Sequence, residues 1–153
     1  MTDPDPVESD ALTPSDWERR AILAALGPGV DPEGLRDLVA ACDWIPAHFT
    51  DPRRRTVAAV ALSLVKAGKV ADALSVVEAL TTTMAAAWDH PTAVDVVCQP
   101  DLAAELGHQT PDLAQAVYEV ARAALRRRLL TLSIQLEKRN GVERVRLALV
   151  GAR

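Results

Sequence analysis

Apolar residues recur along this chain at two different spacings. From Thr13 to about Arg127 they return every three or four positions, as on one face of a helix. Thr13-Pro14-Ser15-Asp16 opens a first helix, with Pro in the first turn, where its missing N–H costs nothing. Trp17, Ala21, Leu23, Ala24 and Leu26 give that helix its apolar side, and Gly27-Pro28-Gly29 ends it. Asp31-Pro32-Glu33 starts a second helix carrying Leu35, Leu38, Val39 and Cys42, closed by Trp44-Ile45-Pro46. Asp51-Pro52 caps a third, with Val57, Val60, Ala61, Leu64 and Val65 as its buried stripe. Ala67-Gly68-Lys69 connects it to a fourth, about 70–88, that offers Ala73, Leu74, Val77, Leu80 and Met84. His90-Pro91 breaks the chain, and His90 is read as sitting at a helix end, near a C-terminal dipole. Residues 92–98 read as a short helix or turn, and 100–107 as another short helix with a Gly terminator. Thr110-Pro111-Asp112 caps the seventh helix, which runs to about Arg127 with Leu113, Val117, Val120, Ala121, Ala124 and Leu125 on its apolar face.

The spacing then changes. Leu130, Leu132, Ile134 and Leu136 alternate with Thr131, Ser133, Gln135 and Glu137, the period of a strand with one buried face. Asn140-Gly141 suits the two positive-φ positions of a tight hairpin turn. A two-residue loop there sets Leu136 opposite Val145, Ile134 opposite Leu147 and Leu132 opposite Leu149. It also sets Glu137 opposite Arg144 and Lys138 opposite Glu143, the cross-strand pairs that stabilise a hairpin. The competing reading continues the helix, with Leu125, Leu129, Leu132 and Leu136 as its stripe. Ala is frequent from 114 to 124 and absent from 125 to 147, so helix-forming composition stops where the alternation begins. The expectation is therefore a mainly α fold: a compact multi-helix bundle over 13–153, one domain, ending in a β-hairpin at about 129–150 and preceded by a disordered acidic tail, 1–12.

Two stretches resemble known families. LVKAGKVADALSVVEAL, within 52–88, resembles one tetratricopeptide-type helical hairpin in its inter-helix Gly and the Ala-Leu that follows. No second copy accompanies it, and one such unit cannot bury its face alone, so it reads as a helical pair inside the bundle. PDLAAELGHQTPDLAQAVYEVARAAL followed by a hairpin, residues 100–150, resembles a winged helix-turn-helix. That resemblance implies DNA binding, with Asp112, Gln115, Glu119 and Arg122 on the exposed side of a recognition helix and Lys138, Arg139 and Asn140 at the tip of a two-stranded wing. Asp112 and Glu119 would then face phosphates, where a reading helix normally offers Arg, Lys, Asn, Gln or Ser.

Composition agrees with a helical body. Apolar residues make up 49% of the chain, yet only five are Trp, Tyr or Phe, so the core is built from Ala, Leu and Val. No apolar run approaches the ~20 residues of a membrane span. The acidic, Pro-containing start is unlike a signal peptide, which places the chain in the cytoplasm. Net charge is −4 but unevenly spread. Residues 1–50 hold ten acids and three bases, whereas residues 111–153 hold four acids and nine bases. Such polarity can steer a partner or orient self-association. The whole-domain charge lacks the basic footprint of a nucleic-acid binder, which ranks DNA second among partners.

No catalytic signature is visible: no nucleophile elbow, metalloprotease helix, Cys-x-x-Cys, phosphate loop or dinucleotide fingerprint. Cys42, Cys98, His48, His90 and His108 are the soft metal ligands, and no pair of them has helical or turn-type ligand spacing. Catalytic residues, cofactor and metal are each read as none. Arg53-Arg54-Arg55 and Arg126-Arg127-Arg128 fan out around their helices rather than forming a phosphate stripe. Arg126 continues Arg122 on one face, and with Lys138 and Arg139 makes a basic edge.

A lone hairpin has two free edges that something must cover. The expected function is thus a non-catalytic interaction or scaffold module, contacting a protein partner or a second copy as a homodimer. Its contact face would be Leu132, Ile134, Leu136, Val145, Leu147 and Leu149. A winged-helix DNA-binding regulator is the alternative, and a small helical enzyme or ligand binder comes third.

Overall fold

The computed structural model describes residues 11–107 and 109–151. Its elements are α1 (Pro14–Leu26), α2 (Pro32–Ala40), a 3₁₀ turn (Pro46–His48), α3 (Pro52–Lys66), α4 (Ala73–Thr83), α5 (His90–Cys98), α6 (Pro100–Glu105) and α7 (Leu113–Gly151). The chain divides into two compact units, residues 1–121 and 122–153. The tail expected over 1–12 lies, through residue 10, outside the described residues.

In the first unit, helix starts follow from side-chain chemistry. The first turn of a helix leaves N–H groups without intrahelical partners, and a short oxygen-bearing side chain at the N-cap accepts from them. Asp31 accepts from Glu33 N–H at 3.0 Å, Asp51 from Arg53 at 2.8 Å and Asp72 from Ser75 at 2.8 Å. Asp89 accepts from Thr92 at 2.8 Å and Asp112 from Gln115 at 3.0 Å. Asp72 as N-cap is why α4 begins at Ala73 rather than at 70. Asp89 as N-cap puts His90 and Pro91 in the first turn of α5, so His90 stands at a helix N-terminus, not at the C-terminus expected for it.

The core is small-residue and aliphatic. Ile22 and Leu26 of α1, Leu35 of α2, Val57 of α3, Val76 and Leu80 of α4 and Val97 of α5 are fully buried. Ala21, Ala25, Ala58, Ala61, Ala93 and Ala116 fill the places where helices approach closely. Trp44 supplies aromatic bulk: its ring lies 5.5 Å from that of Phe49, and its indole N–H donates to the Ala58 carbonyl at 3.0 Å. A buried indole needs such a partner. The first turns of α7 complete this core with Ala116, Val117 and Val120, the last buried residues in the described chain.

The second unit corrects the expected fold. Residues 129–150 are not a β-hairpin: α7 runs without a break through Asn140-Gly141, and no strand occurs among the described residues. The wing implied by the winged-helix resemblance is helix as well. The physical reason is local satisfaction. A helix pairs its interior N–H and C=O groups within itself, whereas two strands alone leave both outer edges unpaired. Leu, Arg, Gln, Glu and Lys dominate this stretch and are good helix formers, so the cross-strand charge match had no sheet to act in.

Candidate functional site

Two features of the surface carry polar or apolar groups beyond what packing requires. The first is a polar cleft on the 1–121 unit. It begins from Glu18, which lies on the core side of α1 one turn before Ile22 and is 1% exposed. Its carboxylate accepts from the Thr50 N–H at 3.1 Å, from the Thr50 hydroxyl at 2.6 Å and from the Asp51 N–H at 3.3 Å. Arg54 lies 3.6 Å from it and also donates to the Ser15 hydroxyl at 3.0 Å. Beside this network, Arg19, Asp51, Arg53, Arg54, Asp95, Gln99 and Asp101 line a cavity of about 250 Å³. Gln99 joins α5 to α6 in a left-handed conformation (φ 45°), and its side-chain amide donates to the Arg19 carbonyl at 2.8 Å. Three guanidinium groups and three carboxylates face one cleft, so no single sign of charge prevails. Glu18 is spent on fixing the chain before α3 against α1. The cleft offers no nucleophile paired with a base.

The second feature is the exposed part of α7. Eleven large apolar side chains between Leu125 and Val150 stand 44–68% exposed. Successive helix residues turn by about 100°, so residues two apart fall on nearly opposite sides. The six residues expected to form one face therefore separate. Leu132, Leu136 and Leu147 lie on one side of the helix, whereas Ile134, Val145 and Leu149 lie on the other. The first side gathers Leu125, Leu129 and Val150 as well, and the second gathers Leu130 and Val142. A surface helix ordinarily has one apolar stripe and a polar back, and this one is apolar on two sides.

The basic edge is only partly assembled. Arg122 and Arg126 stand about 40° apart on one flank of the leucine side, Arg139 on the other flank, and Lys138 towards the back. Over residues 122–151 there are eight basic residues and two acidic ones.

Cys42 and Cys98 are both free thiols, and partial burial pushes the Cys98 thiol up from its usual range. Among the described residues, no cluster of three or more His, Cys, Asp and Glu is placed to hold a metal ion. No described helix is long and apolar enough to cross a membrane. Glu18 and Gln99 were missed by sequence reading. Glu18 had a signal, a carboxylate in step with Ile22 and Ala25 on a core stripe; the conformation of Gln99 had none. Comparison with known protein families, with curated proteins and with solved structures yields no match.

Proposed function

We propose that this chain is a non-catalytic protein-interaction module whose contact element is the exposed part of α7, with the 1–121 unit as its folded base. The observation that supports this most directly is the exposure of eleven large apolar side chains on one continuous helix. Apolar surface gathered in this way marks a place where another macromolecule excludes water. Its charge surrounds the helix instead of collecting on one side, which argues against a helix lying flat at a lipid surface, where apolar and charged faces separate. The occupant is then a helix or groove of a protein, either another protein or a second copy. A photo-crosslinking side chain placed at Leu132 or Ile134 in expressing cells should give a discrete protein adduct. The same group at exposed Ala59 of α3 should give none. Absence of adducts from both helix positions would sink the reading.

A nucleic-acid reading stands second and draws on the basic excess of residues 122–151. It expects DNA affinity that falls steeply with salt and drops when Arg122 or Arg139 is replaced.

A further inference from the structure

We propose that the polar cleft of the 1–121 unit binds a small basic zwitterion, a molecule with one carboxylate and two cationic nitrogens, of which a free basic amino acid is the simplest case. The cleft lies wholly within that unit, so the proposal does not rest on the reading of α7. Some of its charges are already spent. Arg54 is shared between Glu18 at 3.6 Å and Asp51 at 3.7 Å. Arg19 pairs with Asp16 at 3.7 Å. Asp51 also accepts from the Arg53 N–H at 2.8 Å as the cap of α3. Three exposed charges are left over: the Arg53 guanidinium of α3, the Asp95 carboxylate of α5 and the Asp101 carboxylate of α6. Among the described residues, none of these three side chains makes a hydrogen bond or an ion pair. The Asp89 carboxyl is held below its usual range chiefly by Thr92, and Arg53 is the smallest of the influences on it.

Gln99 sets the arrangement. Its left-handed backbone closes α5 and opens α6 at the same residue. That turn brings the acid four positions before it and the acid two positions after it to one cavity. Its amide nitrogen is used on the Arg19 carbonyl at 2.8 Å. Its amide oxygen takes no hydrogen bond among the described residues, so it is a third acceptor beside the two carboxylates. One positive and two negative side chains therefore line the cleft without closing on each other. A ligand that completes all three carries one negative and two positive groups, and such complementarity selects a partner more than it tightens it. Val96 and Leu102 supply the apolar part of the lining. A methylene stem lies on such a surface while its charged ends reach the polar groups around it. The cavity of about 250 Å³ equals the share of about eight water molecules at ~30 Å³ each, room for one amino acid.

The test titrates L-lysine into the full, isotope-labelled chain. The backbone amide signals of Arg53, Asp95 and Gln99 should move saturably, with a midpoint of about 1 mM or lower. Three analogues each remove one group: norleucine the side-chain cation, Nα-acetyl-lysine the α-ammonium, and lysine amide the carboxylate. Each should bind at least about fivefold more weakly, the factor for losing one exposed ion pair. Arg53→Gln should bind lysine and lysine amide alike. The double variant Asp95→Asn, Asp101→Asn should bind lysine and norleucine alike. These side chains bond nothing in the free protein, so both variants should keep the parent's circular dichroism, and the analogue series on the parent chain decides the matter even if one does not fold. No saturable change up to about 20 mM lysine would overturn the proposal. So would equal binding of lysine and norleucine by the parent, signals that move only in α7, or lysine binding that both variants leave unchanged.

Discussion

Glu18 of α1 grips Thr50 through both its backbone and its side chain, with N–H to carboxylate at 3.1 Å and hydroxyl to carboxylate at 2.6 Å. Thirty-two residues separate the two in sequence, so this one buried side chain fixes where α3 starts relative to α1. A carboxylate out of water is tolerated only when hydrogen bonds and an opposite charge replace its hydration. Thr50, Asp51 and Arg54 supply them.

Glu18→Gln keeps the shape but removes the charge that Arg54 and three donors are built around. It should lower the unfolding free energy by about 2–4 kcal/mol, the range for breaking one side of a buried, hydrogen-bonded ion pair. Urea unfolding of parent and variant measures this directly. A change below about 0.5 kcal/mol would mean that Thr50 and Asp51 find other partners.

Asp16 gives the fold a pH dependence of known sign. Its carboxylate accepts from the Thr13 N–H at 3.0 Å and the Thr13 hydroxyl at 2.9 Å, while the Asp16 N–H donates to that hydroxyl at 3.2 Å. The backbone bond to Thr13 is the largest influence, the Thr13 side chain next, and together they hold the Asp16 carboxyl below its usual range. A depressed folded-state value means stabilisation that is fully present above the unfolded-state value of about 3.9 and is lost as pH falls through the folded one. Asp16→Asn should therefore be less stable than the parent at neutral pH, with the gap closing as pH falls beneath the unfolded-state value and through the folded one. Thermal unfolding across that range checks it; a gap that stays constant would remove Asp16 as the source.

Much of the first unit could be read from the chain because its signals are local. Asp31-Pro32 and Asp51-Pro52 announce helix starts with the same two residues that make the caps. Asp89-His90-Pro91 was harder, since one tripeptide can close a helix or open the next, and only the Asp89 bond to Thr92 decides. Glu18 was legible as an oddity but not as the anchor for Thr50 and Asp51, just ahead of a helix that begins 34 residues later at Pro52. The 129–150 stretch misled for a physical reason. Alternating Leu and polar residues fit a strand face, while the Leu125–Leu136 spacing fits a helix equally well. Choosing between them depends on whether a sheet is at hand to satisfy the strand edges.

Gly141 separates these two conformations in one measurement. It lies inside α7, and a Cβ added there meets nothing within 4 Å. In a helix, Gly141→Ala removes the largest backbone entropy cost and should stabilise it by about 0.5–1 kcal/mol. Far-ultraviolet circular dichroism should show more helix and a higher melting point for residues 122–151. In a tight hairpin turn the same change would force Ala into a positive φ and destabilise. A loss of ordered structure in Gly141→Ala would count against an unstrained helical backbone at this position.

The division of the chain at residue 121 implies that the packed core and the exposed part of α7 can be cut apart. Burial along α7 stops at Val120, and from Leu125 to Gly151 every residue is exposed. A chain ending at Ala124 keeps Ala116, Val117 and Val120 in the core. Its melting temperature should stay within about 4 °C of the full chain, the shift that corresponds to ~1 kcal/mol in a domain of this size. A chain ending at Pro111 loses those three residues and also Leu113, whose side chain reaches to 3.2 Å of where a Cβ on Gly34 would stand. Removing several buried aliphatic groups at once costs more than a marginally stable domain holds in reserve, so this shorter chain should not fold cooperatively. Calorimetry of the two truncations distinguishes the roles: if the chain ending at Ala124 also failed to melt cooperatively, residues 125–151 would belong to the core of the fold, and their exposed leucines could not be reserved for a partner.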